Sequence, residues 1–480
     1  MAMRKTSENH TLTEEERQRR CTLVWLTLAF GLASCTSQTR SFIPVTAPNE
    51  TQAMSISRSG LPQAPTPEYL LAQALPTPIK HVVIVIQENR TPDFLFQGIP
   101  GADIAKYAID SMGERVPLHP TSLAAPFDLG HSYDRFVTDY DNGKMDGFDA
   151  GIPQQHHLRP FGYGVLSEIQ PYHDMARQYV LADHMFATNR GPSFPAHLYL
   201  VSGTAGDEGM FRYRVKDNPH DIVTKQEKPG GCDAPKTVFV HTIKVLDGSD
   251  GPMRFACFER TVLSDFLDAK GISWRYYQVG AGPGLWHPFN AIHHVRYGND
   301  WKNVVASSPQ FLKDVKSGNL AGVTWLTPYS TWSDHANPKW GSAQGPAWVA
   351  AVVNAIGTSK FWNSTAILVT WDDWGGWYDH VKPPSYNAYE LGFRVPLLII
   401  SPYARQGYVS KVEHEFASLL VFTEETFGIP KGALKDTDRR ADDLNDAFDF
   451  TQKPRQFTPI QAPKYKWDIA LPLGTPEEDP

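Results

Sequence analysis

The chain has no excess of positive charge. Its 45 Lys and Arg stand against 52 Asp and Glu, a formal net charge of −7 over 480 residues, and the acidic side chains are spread along the chain rather than gathered in a tail. Neutralising a run of phosphates needs a basic face, so nucleic acid is not an expected partner. Long apolar runs are also missing: the stretch Thr22 to Leu32 is too short to cross a bilayer. No repeats and no low-complexity blocks are evident. Three catalytic signatures are absent as well, the G-x-S-x-G elbow of serine esterases, the Walker loop and H-E-x-x-H. Asp139-Tyr140-Asp141-Asn142-Gly143 has a calcium-loop look, but its Gly falls one position early for an EF-hand. Cysteine is scarce, four in all.

What is present is enough for a large core. Hydrophobic residues make up 41% and aromatics 12%, and 13 Trp accompany 38 Pro and 36 Gly, a composition suited to long loops held down by large rings. At the N-terminus Arg17, Arg19 and Arg20 precede the apolar stretch, which ends in Leu32-Ala33-Ser34-Cys35. This reads as a signal peptide over 1–34, followed by a lipobox-like Cys35 that would carry the lipid of an envelope lipoprotein. Residues 35–78, rich in Ser, Thr, Pro and Gln, read as a tether. The expected location is therefore exported, anchored to the bacterial envelope through Cys35 or secreted. Of the four cysteines only Cys232 and Cys257 then remain in the folded part, where they could equally pair or stay as two buried thiols.

From His81 onward, short β-branched runs end abruptly in polar segments. Val82 to Ile86 runs into Gln87-Glu88-Asn89-Arg90, and Ala366 to Trp371 into Asp372-Asp373. Gly322 to Leu326, Pro396 to Ile400 and Ile272 to Tyr277 behave alike, and Ala347 to Ile356 has helical spacing. Continuous rather than alternating apolar runs mark strands covered on both faces, so the expected class is α/β, a mostly parallel sheet with helices on both faces. One domain over 79–480 is expected, with an insertion or lid near 205–257 and a charged C-terminal part from about 431 wrapping the surface.

In open α/β sheets ligands bind beyond the carboxyl ends of the strands. Two of these strands deliver acids there, Glu88 with Asn89 and Asp372 with Asp373, and such a group calls for a divalent cation to neutralise it. Either pair alone is as well explained by helix or turn capping. Gly191-Pro192-Ser193 forces a turn that presents the Ser193 hydroxyl, a nucleophile if a metal lies beside it and otherwise a helix cap. Among 17 histidines, His131, His287, His335 and His380 stand in motif-like settings.

Taken together, Gln87-Glu88-Asn89-Arg90-Thr91-Pro92-Asp93, Asn142-Gly143-Lys144-Met145-Asp146-Gly147-Phe148 and Trp371-Asp372-Asp373-Trp374-Gly375-Gly376-Trp377-Tyr378-Asp379-His380 resemble the bacterial phosphoesterase family, which includes phospholipases C and secreted acid phosphatases. The resemblance runs from about His81 to about Phe450. It implies an alkaline-phosphatase-like core and a metal held by Glu88, Asn89, Asp372 and Asp373. It also implies Ser193 as a nucleophile in contact with that metal. His131 and His335 would bind the phosphoryl oxygens or protonate the leaving group, with His287 a looser match. Many relatives read Arg-Ser-Phe-Asp where this chain has Arg90-Thr91-Pro92-Asp93. The expected activity is metal-dependent phosphoester hydrolysis through a phosphoserine, on a lipid or small-molecule ester, with the metal's identity open. The competing expectation is a non-catalytic cell-surface protein binding phosphorylated ligands or cations.

Overall fold

A computed structural model of the chain describes residues 77–207 and 212–464. The chain divides into two units, 1–59 and 60–480, and every described residue belongs to the second. The expected signal peptide, Cys35 and nearly all of the tether lie outside the described residues. Among the described residues no helix is long and apolar enough to cross a membrane.

The frame is an eight-stranded sheet of β1 (His81–Gln87), β2 (Val180–Ala182), β3 (Trp274–Tyr277), β4 (Val304–Val305), β5 (Val323–Leu326), β6 (Thr365–Trp371), β7 (Leu397–Ile400) and β8 (Tyr408–Ser410). Its spatial order is β4-β3-β5-β1-β6-β7-β2-β8. Neighbours are parallel except where β7 runs antiparallel to both β6 and β2. All five runs read as strands from the sequence lie in this sheet. In β5, β6 and β7 every residue is buried, and in β1 every residue after His81, which is what a sheet covered on both sides requires.

Six helices concern the argument: α1 (Tyr133–Tyr140), α2 (Leu166–Gln178), α3 (Ser193–Ser202), α4 (Gln310–Ser317), α5 (Gly345–Gly357) and α6 (Phe416–Thr426). Register shows that they form two layers. Trp325 of β5 is level with Ile84 of β1, and Ile84 with Leu368 of β6, so Trp371, three residues beyond Leu368, points to the other face. The Trp325 indole donates to the Leu200 carbonyl of α3 at 3.1 Å, whereas the Trp371 ring meets Tyr172 of α2 edge-on at 5.1 Å. Helix α3 packs with α6, and α2 with α5, which also meets α4, so the sheet is covered on both faces.

Residues 205–207 and 212–257 stand outside this sheet. They contribute two small ribbons, one pairing 213–215 with 242–244 and one pairing 238–240 with 220–221 and 254–255. Cys232 and Cys257 are joined here in a disulfide across a sequence separation of 25. Closing a loop of this size restricts the unfolded chain by about 3 kcal/mol. The double variant Cys232→Ser/Cys257→Ser is therefore expected to lose about 2–4 kcal/mol of unfolding free energy in urea denaturation. An unchanged midpoint would show that the cross-link constrains nothing.

Candidate active site

Strands β1 and β6 run side by side to the same level, Gln87 against Trp371. The next residues, Glu88 and Asp372, therefore leave the sheet together. Because side chains alternate, both turn to the face opposite Gln87 and Trp371, the side covered by α3. The Asp372 amide donates to the Gln87 carbonyl at 3.1 Å, and the Asn89 amide to Asp372 Oδ1 at 3.1 Å. Asn89 is left-handed at φ 60°, and Gly375, also at φ 60°, lies against it. A Cβ on Gly375 would sit 2.5 Å from the Asn89 carbonyl oxygen, so only glycine lets the 372–376 loop close over Asn89. Within that loop Asp372 Oδ1 accepts the Asp373 amide at 2.8 Å and Asp373 Oδ1 the Gly375 amide at 2.7 Å.

Helix α3 approaches from the other side. Its entry turn is tied by Asn189 Nδ2, which donates to the Gly191 and Pro192 carbonyls at 2.9 and 3.4 Å. A Cβ on Gly191 would meet the Lys216 carbonyl at 2.6 Å, so the turn needs glycine. Ser193 is the first helical residue, at the positive end of the helix dipole. Its Oγ lies 3.4 Å from Glu88 Oε2 and 3.5 Å from Asp373 Oδ2. One turn on, His197 Nε2 lies 3.2 Å from Glu88 Oε1 and 3.9 Å from Asp372 Oδ2. His197 was not among the residues expected from sequence, although its position four after Ser193 puts it on the same helix face.

Glu88, Asp372, Asp373, Ser193 and His197 are all fully buried, and Asn89 nearly so. Three carboxylates in one buried group repel one another unless positive charge joins them. Two buried acceptors, Asn89 Oδ1 and Asp372 Oδ2, have no hydrogen-bond donor. Glu88, His197 and Asp372 offer ligand atoms within 4.8 Å of one another. A donor set of carboxylate and amide oxygens with one imidazole fits a divalent cation.

The histidines expected from sequence divide. His131 Nδ1 donates to the Leu129 carbonyl at 2.7 Å, which leaves Nε2 to accept from Asn89 Nδ2 at 3.3 Å. The His335 ring stands edge-on to it at 5.7 Å, with Nδ1 on the Ala336 carbonyl at 2.8 Å and 3.3 Å from Asp128. His287 is buried with its Nδ1 3.0 Å from the Gly282 carbonyl, and its Nε2 makes no hydrogen bond. Burial pulls its pKa down to about 4. Its neighbour Trp286 stacks on His197 with centroids 6.5 Å apart.

The surroundings lock these positions. Gln87, on the opposite face, donates to the Trp332 carbonyl and accepts from the Asp334 amide, both at 3.0 Å, fastening the 332–335 loop to the end of β1. Asp334 in turn accepts from Tyr172 at 2.7 Å and the Trp371 indole at 2.9 Å, and burial raises its carboxyl to about 6. The Asp139 stretch that looks like a calcium loop serves instead as a brace, in which Asp139 holds the Trp374 indole at 3.0 Å and pairs with Arg135 at 2.6 Å. Trp374 then stands edge-on to His131 at 6.3 Å. The Thr91-Pro92 departure is a helix start, in which Thr91 Oγ1 accepts the Phe94 amide at 3.1 Å and Pro92 takes the first helical position. A polar cleft of about 430 Å³ opens beside His131 and Pro192, lined by Lys216, His220, His241 and Asp250 of the 205–257 segment.

The phosphoesterase family matches residues 79–430 of this chain. Over 431 residues the chain is 25% identical to a non-hemolytic phospholipase C of Pseudomonas aeruginosa, covering 78% of this chain and 57% of that protein. It is 24% identical over 450 residues to phospholipase C A of Mycobacterium tuberculosis, covering 80% and 79%. Non-specific phospholipase C4 of Arabidopsis thaliana is 23% identical over 385 residues, covering 69% and 63%. The chain thus spans little more than half the length of the Pseudomonas relative. Among solved structures, an alkaline phosphatase superfamily protein from Vibrio parahaemolyticus overlaps with a TM-score of 0.36 at 10% identity, covering 77% of this chain and 72% of that one.

The buried His287 gives a pH test. Its pKa of about 4 lies below the unfolded value of about 6.5, so its contribution to stability is complete above pH 6.5 and is lost as pH falls toward 4. At pH 5 the loss is about 2 kcal/mol relative to neutral pH. His287→Gln should flatten the stability profile between pH 7 and 5 by that amount in urea titrations. A profile parallel to wild type would mean that His287 is not held neutral.

Proposed function

The chain belongs to the phosphoesterase family, and on that premise we propose that it hydrolyses phosphoesters at the Ser193 group through a phosphoserine. The single observation that carries this reading is the Ser193 hydroxyl at a helix N-terminus, within 3.5 Å of carboxylate oxygens from two adjacent strand ends. Glu88, Asn89, Asp372 and Asp373, joined by His197 and Ser193, would hold a divalent cation, which supplies charge against the serine oxygen and the phosphoryl oxygens.

The chain's own residues then divide the work. Ser193 Oγ attacks phosphorus, forming the P–O bond as the bond to the leaving alkoxide breaks, and its proton passes to a neighbouring carboxylate. The dipole of α3 and the Asn89 amide group favour negative charge on the phosphoryl oxygens. His335, its Nδ1 on the Ala336 carbonyl, gives the departing oxygen its proton from Nε2, while His131, whose Nε2 accepts from Asn89, orients that amide. Water replaces the alcohol and cleaves the Ser193–phosphorus bond, restoring the hydroxyl. Residues 212–257 act as a partial lid, because their polar side chains form one wall of the cleft beside His131 and Pro192. The relatives named phospholipase C favour a phosphodiester, a lipid among them, over a phosphomonoester. Export with lipidation at Cys35 would place the enzyme where such esters are met.

Ser193→Ala is expected to leave the fold and thermal midpoint intact while cutting turnover below about 1% of wild type. Activity above that level would remove Ser193 as nucleophile. Assays on phosphatidylcholine and on p-nitrophenyl phosphate set the substrate class, with a higher kcat/KM on the diester expected.

A further inference from the structure

Three groups of histidine and carboxylate side chains with ligand-like spacing occur among the described residues: Glu88–His197–Asp372, Asp93–Asp379–His380 and His414–Asp442–Asp446. The first belongs to the candidate active site. The second contains its own cation, because the fully buried Arg394 guanidinium lies 2.6 Å from Asp379 and 3.6 Å from Asp93. The third contains none. Asp442 and Asp446 form ion pairs with His414 alone, and no Lys or Arg among the described residues reaches either.

This third group joins two parts of the chain far apart in sequence. Ser410 ends β8, the edge strand of the sheet, and His414 follows in a two-residue strand, while Asp442 and Asp446 flank a turn of the C-terminal segment. His414 and Ser410 are fully buried. His414 Nε2 lies 3.0 Å from Ser410 Oγ and 3.8 Å from Asp446 Oδ1, and Ser410 Oγ donates to Asp446 Oδ2 at 2.5 Å. On the other side of the ring Nδ1 is 3.0 Å from Asp442 Oδ2. Asp446 Oδ1, on the Nε2 side of the ring, is buried and makes no hydrogen bond. The 3.8 Å gap between Nε2 and Asp446 Oδ1 suits two ligands each about 2.1 Å from one ion.

We propose that His414 Nε2 and Asp446, with Ser410 Oγ beside them, hold a divalent transition-metal ion, and that Asp442 on Nδ1 fixes the imidazole for it. This would be a second cation site, separate from the one at Glu88, Asp372 and Asp373. An imidazole among carboxylates favours zinc over calcium or magnesium. The ion balances the charge of Asp442 and Asp446 and pins the 442–446 turn to the edge strand, where it does structural and not catalytic work.

The test counts ions. The full chain, stripped with chelator, is loaded with Zn²⁺, freed of excess and measured by mass spectrometry for zinc per chain, in wild type, Asp446→Asn, Asp372→Asn and the double variant. Two, one, one and none are expected. Asp446→Asn should keep the hydrolytic activity and lose only the part of the thermal stabilisation that zinc adds. Asp442→Asn, at the more exposed end of the site, is the second variant should Asp446→Asn not fold, and is expected to weaken this zinc at least tenfold. An Asp446→Asn protein that binds as much zinc as wild type overturns the proposal, as does a wild type whose only ion is lost in Asp372→Asn. A single ion lost in Asp446→Asn but kept in Asp372→Asn supports the second site and counts against the metal at the Ser193 group.

Discussion

Buried negative charge is the constraint on which the rest of this structure depends. The register that sets Gln87 beside Trp371 also sends Glu88 and Asp372 off the sheet side by side, with Asp373 next in line, and all three acids are fully buried. Removing a carboxylate from water costs several kcal/mol even after relaxation, so an unneutralised trio would be a heavy liability. Every local peculiarity of the region bears on that problem. The left-handed Asn89 turns its amide toward Asp372, Gly375 lets the acidic loop close over it, and the turn at Gly191 aims the positive end of α3 and its Ser193 at the acids. Two backbone amides satisfy one oxygen of Asp372, while its other oxygen is left without a donor beside His197. A fold that arranges partial positive charge from three directions and still leaves acceptors unsatisfied is shaped around a cation.

The opposite face of the same strand ends does different work. Gln87 and Trp371 point away from the acids, and through Asp334 and Tyr172 they fasten the 332–335 loop that carries His335. The alternation of side chains thus separates a reactive face from a fastening face at one pair of strand ends. The Asp139–Trp374–His131 chain repeats the device from the loop after Asp373, so that His131 and His335 each have a carbonyl on Nδ1 and an anchored element behind them. Positions held this way lose little on binding a ligand, which is where precise sites gain their strength.

Much of this was legible in the sequence, and the gaps have physical reasons. Strands β1, β3, β5, β6 and β7 announce themselves because burial on both faces demands unbroken apolar runs. β2, β4 and β8 have two or three residues each, too few to show a pattern. Nothing in the Leu397–Ile400 run reveals that it lies antiparallel, since direction is set by the connections and not by the strand's own residues. Glu88, Asn89, Ser193, Asp372 and Asp373 converge as the motifs suggest, because strand ends and a Gly-Pro turn can be read locally. His197 is hard to read from sequence although helix periodicity pairs it with Ser193, since a histidine within an apolar helix reads first as core. His287, in its Trp-His-Pro setting, is buried with Nδ1 on a carbonyl and held neutral, next to the Trp286 ring that stacks on His197. The pairing of Cys232 with Cys257 depends on how the 205–257 ribbons fold and could not be read from spacing.

The loop from Asp372 to His380 meets the charge problem at both of its ends, in two different ways. At its start the acids face Ser193 and His197, with no guanidinium among the described residues beside Asp372. At its end Asp379 receives a forked contact from the buried Arg394, which also donates to the Asp103 and Asp183 carbonyls. His380, with Asp93 and Asp103 on its two nitrogens, is pulled down by burial but pushed up further by Asp93 and Asp379, to about 8, so it is charged at neutral pH. Arg394 and His380 therefore neutralise the far end with fixed, hydrogen-bonded groups of the chain itself. Permanent internal cations make a rigid anchor but leave no exchangeable position for chemistry. Only the end that lacks them can exchange what it binds, and the anchored end holds the acidic loop still while it does so.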